Sequence, residues 1–115
     1  MAIFNLTAEF TTNDGRLWRA FWKRKALSHN DAIRRAESDL ENAGAIYRRI
    51  KSSLSDIPGV SVIGNSGRIM MVERGRDGKR GDAAQVVHFV NGHVRSIGEL
   101  SPTESDYIWA RTWDL

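Results

Sequence analysis

The chain has 115 residues, of which 41% are hydrophobic and 27% are charged, and it contains no cysteine. This length suits one domain with its own core, and the lack of cysteine excludes a disulfide framework and cysteine-based metal or redox centres and favours a reducing, cytoplasmic location. The 17 Lys and Arg residues exceed the 14 Asp and Glu residues by only three charges, so the position of the cations matters more than their number. The sequence shows no signal peptide and no apolar run near the ~20 residues that span a bilayer, so we expect no membrane partner.

Residues 3–25 predict a β-hairpin, because apolar and polar side chains alternate on either side of Asn13-Asp14-Gly15. Two registers compete. A two-residue turn would place the apolar residues of the two strands on opposite faces, whereas a three-residue loop with Gly15 left-handed would place them on one face. The three-residue register brings together Phe10 and Trp18, Ala8 and Ala20, and Leu6 and Trp22, with Glu9 opposite Arg19 on the other face. We therefore expect both tryptophans in the core and not on an exposed platform for base stacking.

A single helix is predicted from about residue 29 to residue 55. Ser28 can cap its first turn, with Asp31 three residues further on. Gly44 is the weak point and predicts either a kink or a break into two helices. Apolar residues recur at steps of three and four along the whole segment, at Ile33, Ala36, Leu40, Ala43, Tyr47, Ile50 and Leu54.

Four strands are predicted next, at about 60–64, 68–74, 84–90 and 93–99, with a strong turn signal at Asn91-Gly92. A short helix then begins at Ser101-Pro102-Thr103-Glu104, a capping sequence with proline at the first helical position. It carries Ile108, Trp109 and Trp113. The sequence thus predicts a single α+β domain over residues 1–115: an antiparallel sheet in the order ββ-α-ββββ-α, with a long helix over one face and a short C-terminal helix.

Few residues are candidates for catalysis. A two-residue turn at Asn91-Gly92 would place His88 opposite Arg95, so that His88, His93 and Arg95 share one face and offer a general acid–base set. A solvated polar face is the preferred interpretation, because no carboxylate or nucleophile accompanies them at a fixed spacing. No metal-ligand spacing and no nucleotide-binding loop is present. We therefore expect a non-enzymatic protein without metal or cofactor.

The stretch most typical of a binding site is residues 74–81, where three glycines separate four cations: Arg74, Arg76, Lys79 and Arg80. Glycine lets the backbone approach a phosphate, and the cations supply sequence-independent affinity for nucleic acid. The outer face of the first hairpin adds a second basic surface, made of Arg19, Lys23 and Lys25 with the aromatic Phe21. We expect nucleic-acid contact through these residues. The alternative is a protein-binding inhibitor or accessory factor, of the kind that phages and mobile elements encode, which covers the surface of a nucleic-acid-associated partner. In a third interpretation, 74–81 is only a solvated connection.

Overall fold

A computed structural model describes residues 2–55, 67–91 and 93–112. Its elements in chain order are β1 (Ala2–Thr12), β2 (Leu17–Ala26), α1 (His29–Asn42), β3 (Ala45–Leu54), β4 (Gly67–Arg74), β5 (Arg80–Val90), β6 (His93–Glu99) and α2 (Pro102–Arg111). The strands form one antiparallel sheet in the order β3-β1-β2-β4-β5-β6. The predicted α+β class, with the order ββ-α-ββββ-α and a helix over one face, is confirmed.

The register of the first hairpin is the predicted one. Phe10 lies opposite Trp18 and Leu6 opposite Trp22, and Gly15 in the connecting loop has a φ of +80°, a conformation that glycine adopts without strain. The two tryptophans are buried, with exposed fractions of 2% and 3%. They are therefore core residues, as the one-sided apolar pattern predicted.

One face of the sheet, the α1 face, packs under α1, which contacts β1, β2 and β3. Its buried apolar strand residues are Phe4, Leu6, Ala8, Phe10, Trp18, Ala20, Trp22, Ala26, Ala45, Ile69, Met71, Val87 and Phe89, and α1 adds Ala32, Ala36 and Leu40. Asp39 of α1 fixes the helix to β2, because its Oδ2 accepts hydrogen bonds from Trp22 Nε1 and Arg24 Nε, each at 3.1 Å. Burial raises the pKa of Asp39 in spite of these donors.

The start of α1 is held by its predicted cap. Ser28 accepts a hydrogen bond from the Asp31 backbone N–H. The Asp31 carboxylate accepts the Leu27 backbone N–H at 2.9 Å and binds the guanidinium groups of Arg34 and Arg35. The Leu27 hydrogen bond first, and then the Arg34 hydrogen bond, lower the pKa of Asp31 to about 2.

The second half of the predicted long helix is wrong. The helix ends at Asn42, and Gly44 follows with a φ of +83°, a left-handed conformation that ends helices. Residues 45–54 form the edge strand β3, in which Ile50 lies opposite Ala8 of β1. The strand predicted at 60–64 lies outside the described residues.

The opposite face of the sheet, the α2 face, packs under α2, which contacts β2 and β4. Ser101 caps this helix by accepting the Glu104 backbone N–H, as predicted. Ile108 of α2 packs in an apolar cluster with Phe21, Val72, Val86 and Leu100. Trp113, which we expected on this helix, lies outside the described residues.

The hairpin of β5 and β6 contains a bulge that the sequence did not predict. Val90 lies opposite His93, and Asn91 has a φ of +53°, which agree with a tight turn. The register then shifts, so that His88 lies opposite Ser96 and not opposite Arg95. The predicted pairing of His88 with Arg95 is wrong because Arg95 is the extra residue of the bulge.

Candidate nucleic-acid interface

One carboxylate on the α2 face of the sheet is approached by three arginines. Glu9 Oε2 lies 3.2 Å from Arg19 Nε, 3.6 Å from Arg74 Nε and 3.9 Å from Arg49 Nη2. We call Glu9, Arg19, Arg49 and Arg74 the arginine cluster. The three guanidinium groups, which come from β2, β3 and β4, therefore converge on one oxygen of a residue of β1.

The sheet order places these side chains together. Glu9 on β1 lies between Arg19 on β2 and Arg49 on β3, directly opposite both. Its neighbour Phe10 points into the core on the α1 face, so Glu9 points to the α2 face. Arg74 reaches the same carboxylate from the end of β4, where it lies opposite Leu17 of β2.

The cluster carries three positive charges against one negative charge, and its members differ in burial. The exposed fraction of the side chain is 9% for Arg19, 24% for Arg74 and 54% for Arg49. Arg19 is held from the other side by Trp109 of α2, since its Cζ lies 4.8 Å from the centre of the indole ring. Arg19 is therefore the inner cation of the cluster, and Arg49 is the outer one.

Two buried donors of the cluster lack a hydrogen-bond acceptor within the described part of the chain: Arg19 Nη1 and Arg74 Nε. Buried donors are normally satisfied, and an unsatisfied donor on a charged group is especially unfavourable. The three guanidinium groups together carry two more positive charges than the Glu9 carboxylate neutralises. The cluster therefore has the capacity to bind an additional anion.

Beside the cluster, the α2 face of β1 carries hydroxyl groups, and in the described part of the chain the main strand contacts of α2 are with β2 and β4. Thr7 and Thr11 of β1 are half-buried there, and Lys51 of β3 is exposed opposite Thr7. These hydroxyl groups and cations are suitable contacts for phosphate oxygens.

The predicted binding loop is a closed turn. Because β5 begins at Arg80 and not near residue 84, only residues 75–79 connect the strands. The Gly75 N–H donates to the Lys79 carbonyl at 2.7 Å, and the Lys79 N–H donates to Asp77 Oδ1 at 3.0 Å. Gly78 has a φ of +84°, which requires glycine or strain. The turn holds Arg76 and Lys79, both exposed, close to Arg74 of the cluster.

The remaining cation of the predicted loop, Arg80, binds Asp106 of α2 and has a side chain 34% exposed. It therefore connects the start of β5 to the helix. Of the four predicted loop cations, Arg74 belongs to the cluster, Arg76 and Lys79 project from the turn, and Arg80 is paired.

The second predicted surface, on the outer face of the first hairpin, is only partly exposed. Arg19 and Phe21 are buried, with exposed fractions of 7% and 2%, because α2 packs over them. The expectation that Arg19 and Phe21 belong to an exposed basic surface on this face is wrong. Lys23 is half-buried, with its Nζ 2.9 Å from Ser55 Oγ, and Lys25 is exposed.

The two predicted surfaces nevertheless meet, because Arg19 of the hairpin and Arg74 of the loop contact the same oxygen of Glu9. Sequence reasoning did not place Arg49 in the site, since it assigned that residue to a helix. Glycine at position 44 followed by the strand-favouring residues Ile46 and Tyr47 was the available signal for a strand there.

Other kinds of site find little support. Among residues 2–55, 67–91 and 93–112, no group of three or more His, Asp or Glu side chains lies close enough to hold a metal ion. His88 is half-buried and His93 is exposed. Neither helix that the structure describes is long and apolar enough to cross a membrane.

Comparison of the chain with protein-family models, with curated proteins and with solved structures finds no match.

Proposed function

We propose that the protein is a non-enzymatic binding protein that holds the phosphate backbone of a nucleic acid across the arginine cluster and the turn 75–79. The observation that carries the proposal is the convergence of three arginines on the single carboxylate of Glu9, at 3.2 to 3.9 Å. The convergence leaves two positive charges in excess, and two buried donors of the cluster have no hydrogen-bond acceptor among the described residues.

Guanidinium groups suit this role, because their planar donors match the oxygens of a phosphate and they stay charged at every physiological pH. The path of the backbone would run from Arg49 at the edge of the sheet, past Arg74, to Arg76 and Lys79 on the turn. Phe21 is buried and Trp109 is occupied by Arg19, so base stacking on these rings plays no part. The binding is therefore to the backbone and independent of sequence. The proposal includes a cytoplasmic location, which the cysteine-free composition favours.

The test is a pair of variants with the same change in charge. Arg76→Ser/Lys79→Ser removes two cations from the turn, while Arg34→Ser/Arg35→Ser removes two from α1, on the other face of the sheet. Fluorescence anisotropy with single- and double-stranded oligonucleotides at several salt concentrations would measure affinity and its salt dependence. For the turn variant, we expect weaker binding to all sequences and a slope of log K against log salt reduced by ~0.7–0.9 per lost phosphate contact.

The control variant should keep the wild-type slope. Equal losses in both variants would show that only net charge matters and that the turn is not the site. A wild-type protein that binds no oligonucleotide even at low salt would contradict the proposal itself. A protein-binding inhibitor would then be the better explanation, because basic side chains also complement the acidic surface of a protein.

A further inference from the structure

The strand β6 forms one end of the sheet and is exposed along its whole length, from His93 to Glu99. It carries apolar side chains in this position: Val94 is 40% exposed and Ile97 is 61% exposed. In the described part of the chain, no strand pairs with its outer edge. An exposed edge strand with apolar side chains is a template for another strand.

The hydrogen-bonding pattern between β5 and β6 shows which backbone groups of β6 face away from the sheet. The Leu100 N–H donates to the Ala84 carbonyl of β5 at 3.3 Å, and hydrogen-bonded pairs in an antiparallel ladder recur at every second residue. Gly98 and Ser96 are therefore directed toward Val86 and His88, their partners on β5. The backbone N–H and C=O groups of Ile97 and Glu99 are directed away from the sheet and can accept a new strand.

We propose that β6 pairs antiparallel with β6 of a second copy of the chain, about a twofold axis through the Ile97 pair. In this register, Arg95, which the bulge leaves without a partner on β5, lies across from Glu99 of the other copy, and the two Ile97 side chains contact each other. Registers centred on Arg95 or on Glu99 would place like charges opposite each other, which is unfavourable. The charge pattern of the strand is thus complementary to itself in the register that its outward backbone groups allow.

The other edge of the sheet does not have this property. The sequence of β3, AIYRRIKSSL, contains three cations and no carboxylate, so two copies of β3 would repel each other. Ile46 of β3 is 62% exposed, much like Ile97. The exposure of apolar side chains therefore does not distinguish the two edge strands. Only β6 has a charge pattern that favours pairing with a second copy of itself.

Two single charge reversals provide the test. In Arg95→Glu alone, or in Glu99→Arg alone, both ion pairs across the axis become like-charge pairs, and dimer affinity should fall at least ~10-fold given the usual strength of cross-strand pairs. A mixture of the two variants forms attractive pairs at both positions, so it should dimerise where each alone does not. Sedimentation equilibrium would measure the dimer affinity of the wild type, of each variant and of the mixture. The protein concentration should run from 10 µM to about 1 mM, where weak dimers with a Kd in the millimolar range begin to form.

Ile46→Lys on the opposite edge is the matched control and should dimerise like the wild-type protein, whereas Ile97→Lys should be monomeric. Circular dichroism checks that each variant is folded, and recovery of the dimer on mixing would show that both charge-reversal variants are folded and that their charges pair. The proposal is overturned by a wild-type chain that is monomeric over the whole range, by single variants that do not dimerise on mixing, or by an Ile46→Lys variant that loses the dimer.

Discussion

Replacing Glu9 by Gln should lower stability and raise affinity for nucleic acid, and these opposite effects distinguish a binding site from an ordinary ion-pair network. The substitution keeps the size of the side chain and removes the only carboxylate of the arginine cluster. Arg19 then stays buried without a counter-charge, because Trp109 and the sheet hold it in place.

The size of the stability loss follows from burial. Removing one partner of a buried ion pair costs about 3–5 kcal/mol, and we expect about 3 kcal/mol because Arg49 and Arg74 can relax toward solvent. With an unfolding entropy of about 2.1 cal/mol/K per residue over 115 residues, this loss lowers Tm by roughly 12 °C. The affinity should rise about fivefold, since a unit charge at ~4 Å in water contributes about 1 kcal/mol of repulsion to a phosphate.

Glu73→Gln is the matched control. Glu73 is as buried as Glu9, with side chains 22% and 20% exposed, but its one ion-pair partner in the described residues, Arg16, is 46% exposed. Its loss should cost less than about 1 kcal/mol. Thermal unfolding with and without inorganic phosphate, and anisotropy with an oligonucleotide, measure both effects. Phosphate should raise the Tm of Glu9→Gln more than that of the wild type, because an anion that binds only the folded state stabilises it. A Glu9→Gln variant with wild-type stability and wild-type affinity would refute the reasoning.

Two further predictions concern the α1 side of the molecule. Trp22→Ala should destabilise the fold by ~3–5 kcal/mol. Trp22→Phe should destabilise it by less, although this change also removes the hydrogen bond to Asp39. Denaturant unfolding measures both losses, and a Trp22→Ala variant with near-wild-type stability would contradict the core position of Trp22. The lowered pKa of Asp31, about 2, means that its charged form stabilises the folded state above pH 4 and that this contribution is lost as the pH falls from about 4 to 2. The stability difference between wild type and Asp31→Asn should therefore shrink over that interval, and a constant difference would show that the ionised carboxylate adds nothing to the cap.

The sequence allowed the first hairpin to be predicted because its signal is local. Phe10 and Trp18 fall on one face in only one of the two registers, and one slip would expose half of the core. The caps at Ser28 and Ser101 were predictable for the same reason, since each depends on residues within one turn.

The strand β3 was not predictable from side-chain spacing, because Tyr47, Ile50 and Leu54 continue the helical spacing of α1. The pattern misled because β3 is an edge strand whose described side chains are largely exposed, with Leu54 57% and Ile46 62% exposed. Apolar residues at helical spacing indicate a helix only if they are all buried on one side. Whether they are buried depends on the neighbouring elements, which the spacing does not reveal.

The arginine cluster depends even more on tertiary structure. Glu9 opposite Arg19 follows from the hairpin, but the positions of Arg49 and Arg74 require the order β3-β1-β2-β4, in which β3 returns beside β1. Residues 40 and 65 positions apart in the chain then share one oxygen. Charge clustering along the sequence singled out residues 74–81 as a candidate site but could not reveal that Arg49 of β3 lies beside Arg74 in the structure.

The structure also separates the roles of cations that the sequence grouped together. Arg19 is fixed between Glu9 and Trp109 and is almost inaccessible, so it supports the site without being its contact surface. Arg49 and Arg74 share the carboxylate and reach solvent, so in the proposed binding mode they are the members of the cluster that would contact a phosphate. Arg76 and Lys79 lie on a hydrogen-bonded turn beside them. A phosphate bound as proposed would approach the same guanidinium groups that Glu9 holds, so the stability of the cluster should depend on the anions in solution.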